Sequence, residues 1–359
     1  VYIVAYWLDK VRSDEHKSSL SPLFCCLPSY YTSGFSSRKE DTSAALTIEH
    51  LTKTYKKGFF ASEGVTAIRP FQMTVPSDSI FCLLGPNGAG KTTIIGCLTG
   101  LVEPSEGDAH LFGYSIRDSM DAIRSMMGVC PQFDMLFDNL TAWEHMRITN
   151  WMKRPCDQMT KEELEERISD VKLSKVAHQM TKTYSGGMKR RLSVVLSTVG
   201  NPRVIFMDEP STGMDPGNRR YVWDLVRKIK SGRLIVLTTH SMEEADMLGD
   251  QIAIVAAGKL RCSGTPISLK ARFGLGYRVT LSCPPEHTEA AKKLVRRQLP
   301  GAQLRGDNAG ALVYSLPDVD LDDSVAEFFE KLQTVTTEDG RKLIEDWGCQ
   351  NTTMEDVFL

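Results

Sequence analysis

Ser79-Ile-Phe-Cys-Leu-Leu84-Gly85-Pro-Asn-Gly-Ala-Gly90-Lys91-Thr92 is the stretch that decides how this chain folds. Its first six residues form an apolar run ending at a glycine, the pattern of a buried strand that enters a tight loop. The remainder fits the spacing G-x-x-x-x-G-K-[ST]. Gly85, Pro86, Asn87, Gly88, Ala89 and Gly90 form a loop that curls so that backbone N–H groups point inward at phosphate oxygens. Lys91 adds a point charge for the β and γ phosphates, and Thr92 offers its hydroxyl to Mg²⁺, with Thr93 completing the turn into a helix. That helix turns its positive end toward the same anion. A glycine-rich turn that binds nothing is the plainer reading of such a loop. The strand before it and the helix-forming run after it favour a nucleotide.

Outward from the loop, a second apolar run, Val204-Ile-Phe-Met207, ends in Asp208-Glu209. It reads as a buried strand delivering two carboxylates to the carboxyl edge of a sheet, where ligands of open α/β sheets sit. Alone it would be an ordinary strand ending in a solvated turn. Beside a phosphate loop, Asp208 suits the metal and Glu209 suits a water, which together are most of what phosphoryl transfer needs. Leu234–Thr238 reads as another strand, Arg219–Lys230 as a helix, and Thr141–Lys153 and Lys161–Val176 carry helical texture. Strands alternating with helices of this length predict a parallel α/β sheet. Upstream, Leu46–Leu51 and Val65–Val75 alternate apolar and polar residues like half-buried strands.

Further motifs carry a resemblance. Tyr184-Ser-Gly-Gly-Met188 lies just ahead of the Asp208-Glu209 strand and resembles the signature motif of ATP-binding cassette (ABC) ATPases, commonly LSGGQ. Tyr55 resembles the aromatic that stacks on adenine. Gln132 in Val129-Cys-Pro-Gln132 resembles the Q-loop, Ser211-Thr-Gly-Met-Asp215 the D-loop, and His240 in Leu237-Thr-Thr-His240 the switch histidine. The resemblance implies a P-loop NTPase fold with a helical subdomain, with ATP and Mg²⁺ as cofactors. It implies catalytic roles for Glu209, His240 and Lys91, and metal contacts from Thr92, Gln132 and Asp208. Ser185, Gly186 and Gly187 would expose backbone N–H groups at a helix start, a second anion site that faces the nucleotide of a partner cassette. Two letters depart from the family pattern: Tyr184 stands for leucine, and Met188 for an amide-bearing glutamine whose hydrogen bonds it cannot make. Lys189-Arg190-Arg191 follows directly, either supporting the anion or forming a solvated helix face.

Val129–Phe137, Gly249–Ile254 and Thr353–Leu359 resemble subfamily A of the ABC transporters, the lipid-exporter group. After Phe273 the order changes. A strand over Tyr277–Leu281, a helix over Glu289–Leu299, strands at Ala302–Arg305 and Ala311–Ser315, a helix over Leu321–Leu332 and a strand at Leu343–Trp347 make the split βαβ order of an α+β ferredoxin-like unit, which subfamily A calls a regulatory domain. The expected organisation is therefore a linker over 1–45, a nucleotide-binding domain over 46–273, and a regulatory domain with its C-terminal tail over 274–359. The resemblance implies transmembrane domains, a second nucleotide-binding domain in the same full-length chain, a lipid substrate reached through the membrane part, and a cytosolic position for this region. The Phe133–His145 segment, with Phe133, Leu136, Phe137 and Trp143, lies where family members receive a helix from the membrane domain; core packing is the alternative.

Composition bounds these readings. The chain has 359 residues with 42% hydrophobic and 25% charged residues, a globular balance. Lys plus Arg (43) nearly cancels Asp plus Glu (45), which excludes a nucleic-acid-coating polycation. No apolar run approaches the roughly 20 residues that cross a bilayer. Val1–Leu8 is apolar and reads as the cytosolic end of a membrane helix, followed by a Ser-, Pro- and Tyr-rich linker. The nine cysteines lack paired spacing and read as free thiols, with acylation at Cys25-Cys26 as an alternative. Asp318, Asp320, Asp322 and Asp323 lack the glycine and glutamate of a calcium loop and read as a helix N-terminal cluster. Two other functions remain open: a soluble cassette ATPase acting on a non-membrane partner, and a non-hydrolysing ATP-gated module.

Overall fold

In a computed structural model, residues 44–56, 64–154, 158–273, 277–299, 301–308, 310–316, 328, 332, 343–351 and 353–358 are described. The expectations for Val1–Leu8, the linker, Cys25-Cys26, the Asp318–Asp323 cluster and most of Leu321–Leu332 lie outside them.

The alternating stretches upstream of the phosphate loop become two long strands, β1 (Ala44–Lys56) and β2 (Gly64–Pro76). With β4 (Glu106–Leu111) and β5 (Tyr114–Ser115) they form an antiparallel sheet ordered β2-β1-β4-β5. Its buried side carries Leu46, Ile48, Leu51, Ile68, Phe71 and Val75. The apolar runs become the central strands of a second sheet: β3 (Ser79–Leu84), β6 (Met127–Cys130), β7 (Val204–Asp208), β8 (Leu234–Thr239), β9 (Gln251–Ala256) and β10 (Lys259–Gly264), ordered β10-β9-β3-β8-β7-β6. Five of these run parallel, and β10 closes one edge antiparallel to β9.

Continuous apolar strands are what a sheet covered on both faces requires. Alternation within them sorts side chains to two cores. Ile80, Cys82, Ile205, Met207, Ile235, Leu237, Ile252 and Ile254 face helices Ala142–Lys153, Lys161–Asp170, Gly186–Ser197 and Pro216–Ile229. Phe81, Leu83, Val204, Phe206, Leu234, Val236, Ala253 and Val255 face helix Lys91–Leu98 and the antiparallel sheet behind it. The phosphate-loop helix is thus wedged between two sheets, with Ile94, Ile95, Cys97 and Leu98 buried. Burial also pushes the Cys97 and Cys130 thiols up to about 11, so both act as core residues.

Beyond Phe273, strands β11 (Tyr277–Ser282), β12 (Gln303–Asn308), β13 (Ala311–Leu316) and β14 (Asp346–Asn351) form an antiparallel sheet ordered β12-β13-β11-β14. Helix Thr288–Gln298 buries Ala291 and Val295 against it, and Phe328 and Leu332 join the same core. The last strand lies a few residues later than the expected Leu343–Trp347: Leu343 and Ile344 are buried ahead of it, so the apolar signal marks the approach to the strand. The C-terminal helix Met354–Phe358 leaves this sheet. Met354 and Val357 pack into the helical core of the first unit, beside helices Met242–Leu248 and Pro266–Phe273. Among the described residues, no helix is long and apolar enough to cross a membrane.

Candidate nucleotide site

Parallel register brings the ends of the central strands to one edge. Leu84 pairs with Thr239, Asp208 with Thr238, and Cys130 with Met207. The loops that follow therefore emerge together: Gly85–Gly90 after β3, Pro131-Gln132 after β6, Glu209–Ser211 after β7 and His240 after β8. This is the carboxyl edge where such sheets take ligands.

The phosphate loop has room for glycine alone at two points. A Cβ on Gly85 would lie 2.2 Å from the Val255 carbonyl oxygen, and one on Gly90 would lie 2.6 Å from that of Ala67. Gly90 also holds φ +104, a left-handed conformation natural to glycine. Lys91, buried at the start of its helix, donates from Nζ to the Gly85 and Pro86 carbonyls at 2.7 and 3.2 Å. The same amine lies 3.7 Å from Glu209 Oε1. Burial lowers the pKa of Lys91, while the carboxylates of Glu209 and Asp208 pull it back up.

Asp208 and Glu209 are both buried. Asp208 Oδ1 accepts from the Thr92 hydroxyl at 3.5 Å and, more tightly, from the Thr238 hydroxyl. Glu209 Oε1 faces Lys91, while Oε2 accepts from the Thr212 hydroxyl at 3.1 Å and lies 3.3 Å from His240 Nδ1. Glu209 stands at φ 47, a backbone state costing a non-glycine residue on the order of 1–3 kcal/mol and kept only where the surroundings hold it. Its N–H is held by the Thr238 hydroxyl at 3.0 Å and the Thr238 carbonyl at 3.1 Å. Lys91, Thr92, Asp208, Glu209 and His240 therefore form one contiguous cluster. The Thr92 hydroxyl with the Asp208 carboxylate is an incomplete oxygen set of the kind Mg²⁺ fills out with phosphate oxygens and water. The pair fits that ion.

Other expected residues stand apart. Tyr55 lies one residue before the end of β1, 42% exposed, with the Lys53 ammonium 5.2 Å from its ring centroid. The Gln132 side chain is exposed, and its amide joins none of the hydrogen bonds among the described residues; the residue is tied in through its carbonyl. Ser185 caps helix Gly186–Ser197, its hydroxyl accepting from Met188 N–H at 3.3 Å. Gly186 opens to solvent, a Cβ there meeting nothing within 4 Å, whereas Gly187 lies under the Asn218 amide. No described contact joins Ser185–Gly187 to the Gly85–Thr92 loop. Tyr184 is buried with its hydroxyl donating to the Val176 carbonyl at 2.6 Å, so the aromatic ring anchors the signature segment to the neighbouring turn.

The basic run after the signature is divided: Lys189 and Arg191 lie partly exposed, while Arg190 is buried. Lys189 pairs with Asp138 at 3.1 Å, and Arg191 donates to the Val171 carbonyl at 2.7 Å beside the Tyr221 ring. Arg190 is buried against backbone. The Phe133–His145 segment splits: Phe133 and Phe137 are 78% and 57% exposed, while Leu136 and Trp143 pack on the helical core. Thr212 and Thr238, which orient the two carboxylates, escape a reading by motif roles. Their only sequence signal is a hydroxyl at a strand end or turn.

A family model described as ABC transporter matches residues 68–212. Over 99% of its length the chain is 35% identical to "ABC transporter A family member 1" of Dictyostelium discoideum, covering 43% of that protein. It is 42% identical over 89% of its length to "ABC transporter A family member 2" of Arabidopsis thaliana, covering 34% of it. It is 39% identical over 99% of its length to "Phospholipid-transporting ATPase ABCA3" of Homo sapiens, covering 20% of it. The chain thus spans less than half the length of these curated relatives. Among solved structures, the post-hydrolysis dimer of the ATP-binding cassette MJ0796 bound to ADP and Pi superposes with a TM-score of 0.55 at 24% identity, over 61% of this chain and 98% of that one. The cbiO1 protein of Clostridium perfringens gives 0.55 at 21% identity, over 72% and 97%. These likenesses show the cassette fold.

Proposed function

We propose, for a chain that belongs to the ABC transporter family as an ATPase domain and is similar to the family's A members along nearly its whole length, that it binds and hydrolyses ATP to drive lipid movement by a membrane transporter. The observation that carries the hydrolytic part is the cluster of buried Lys91 and Glu209 with the exposed His240, next to Thr92 and Asp208. Gly85–Thr93 holds the phosphates, with Lys91 as the point charge and Tyr55 against the adenine. Thr92 and Asp208, with the Gln132 side chain swinging in, hold Mg²⁺, which when bound neutralises charge on the phosphate oxygens. Glu209, fixed by Thr212 and by the hydroxyl and carbonyl of Thr238, orients a water for in-line attack on the γ-phosphoryl group and accepts its proton. The new bond is water oxygen to phosphorus, the broken one phosphorus to the bridging oxygen, and ADP and phosphate leave. Lys91 and His240 offset charge on the group in flight.

The outward-facing Ser185–Gly187 helix start serves the nucleotide of a second cassette, so two cassettes close over two nucleotides. The exposed Phe133 and Phe137 receive the transmembrane domains, and the chain lies on the cytosolic side of the membrane. The division into a nucleotide-binding domain over 46–273 and a regulatory domain over 274–359, the latter ferredoxin-like, belongs to this reading. The names of the relatives, a phospholipid-transporting ATPase among them, support lipid as the substrate class. The test is Glu209→Gln in the full-length transporter reconstituted in phospholipid vesicles. ATP binding should persist while turnover and lipid movement fall about 100-fold or more, the range of a lost general base. Turnover retained at the parent level refutes the role of Glu209.

A further inference from the structure

Arg190 has an unusual set of partners for a residue that touches neither phosphate loop nor solvent. Its side chain is 5% exposed. Nε donates to the Pro210 carbonyl at 2.8 Å. Nη2 donates to the carbonyls of Asp208 and Glu209 at 2.9 and 3.0 Å. Nη1 donates to the carbonyls of Pro131 and Gln132 at 2.6 and 3.1 Å and to Asp134 Oδ1 at 3.3 Å. One face of the guanidinium therefore holds the segment that carries Gln132, and the other holds the segment that carries Asp208 and Glu209. These segments lie more than seventy positions apart in the sequence and are carried by adjacent parallel strands, β6 and β7.

We propose that Arg190 is a positioning residue that keeps the Gln132 segment and the Glu209 backbone in a single register, so that the two move as one body. Glu209 needs such a hold. Its left-handed backbone is gripped from one side by Thr238 and from the other by Arg190, at its own carbonyl and those on either side of it. The planar fork of arginine spans two separate backbone segments, whereas a lysine ammonium concentrates its donors at one point and cannot. The pattern also differs from an ordinary buried ion pair: Asp134 is its one carboxylate partner, and the five other acceptors are main-chain carbonyls. Because Arg190 sits on the helix that begins at the signature, the outward-facing helix start is tied rigidly to the same body.

This inference rests on the hydrolytic reading of Glu209 for its kinetic consequence and on geometry alone for its mechanical one, so the test has two arms. In the full chain without nucleotide, Arg190→Lys should accelerate amide hydrogen exchange about tenfold or more in both segments 129–135 and 206–214, with residues 277–282 unchanged. In the assembled transporter the same variant should bind ATP within about threefold of the parent while kcat falls about tenfold or more, a split expected when positioning and not binding is lost. Asp134→Asn, which keeps the arginine but weakens one end, should give the same split in smaller measure, and it decides the matter if Arg190→Lys does not fold. Faster exchange in one segment alone, or a loss of ATP affinity that matches the loss of kcat, overturns the proposal. Should Glu209→Gln retain turnover, the hydrolytic reading fails, while the exchange arm still decides whether Arg190 ties the two segments.

Discussion

The phosphate-loop edge and the signature edge of this cassette are both places where a helix start meets solvent, yet they are built in opposite ways. Around Lys91 the groups that matter are bonded to one another, and Lys91, Asp208 and Glu209 are buried: amine to loop carbonyls, carboxylates to threonine hydroxyls, glutamate to the exposed His240. Around Ser185–Gly187 the helix start faces outward, with its cap made locally and nothing over Gly186. The first edge is organised by contacts within its own chain; the second is capped locally and left open at Gly186. On the proposed function, that asymmetry suits a site shared between two cassettes.

The most forceful way to break the comparison is a pair of glycine substitutions. Gly85→Ala places a methyl 2.2 Å from the Val255 carbonyl oxygen, and a clash with backbone of that kind should cost about 3 kcal/mol, the upper end for overpacking. Gly186→Ala meets open space and should change stability by no more than about 0.5 kcal/mol. Urea unfolding of the two variants reads the contrast; equal losses would mean that the signature edge is as tightly built as the loop edge. Glu209→Gln and Arg190→Lys sharpen the same contrast kinetically, since both should spare ATP binding.

The smallest expected effect lies in the segment between the edges. His145 is buried, accepting from the Phe137 N–H at 2.9 Å through Nε2 and donating from Nδ1 to the Thr141 carbonyl at 2.8 Å. Burial lowers its pKa from 6.5, against weaker upward pulls from the Thr141 carbonyl and Glu144. The folded ring therefore resists a proton that the unfolded ring takes up. Stability is full above 6.5 and declines as pH falls below it, levelling off once the folded ring also protonates. His145→Gln should flatten the slope of unfolding free energy between about pH 7 and 5. An unchanged slope assigns it to other groups.

Much of this could be read without coordinates. Ile80–Leu84 and Val204–Met207 are apolar without interruption, the pattern of central strands, and the glycine spacing after Leu84 is that of a phosphate loop. Some details were not readable. Arg190, within the run Lys189-Arg190-Arg191, looks like part of a solvated face or an anion site because five of the six acceptors that bury it are backbone carbonyls, and these carry no residue identity. Thr238 becomes a partner of Asp208 only because β7 and β8 lie side by side in parallel register. The C-terminal Met354 looks like part of the second unit and packs into the first, since an apolar residue in a short helix does not announce which core it will enter.

The sequence by itself determined which groups are available and their order along the chain: a glycine-rich loop, a hydroxyl and a carboxylate of the kind a metal takes, and a glutamate and a histidine beyond them. Local spacing suffices there, because a glycine loop or an apolar strand is specified by its own few residues. The tertiary structure alone decided which of these groups touch. It set Glu209 between Lys91 and His240, fixed its strained backbone between Thr238 and Arg190, and left Ser185–Gly187 facing outward. Such contacts depend on strand order, register and the direction of a guanidinium fork, and these follow from how two cores pack on opposite faces of one sheet.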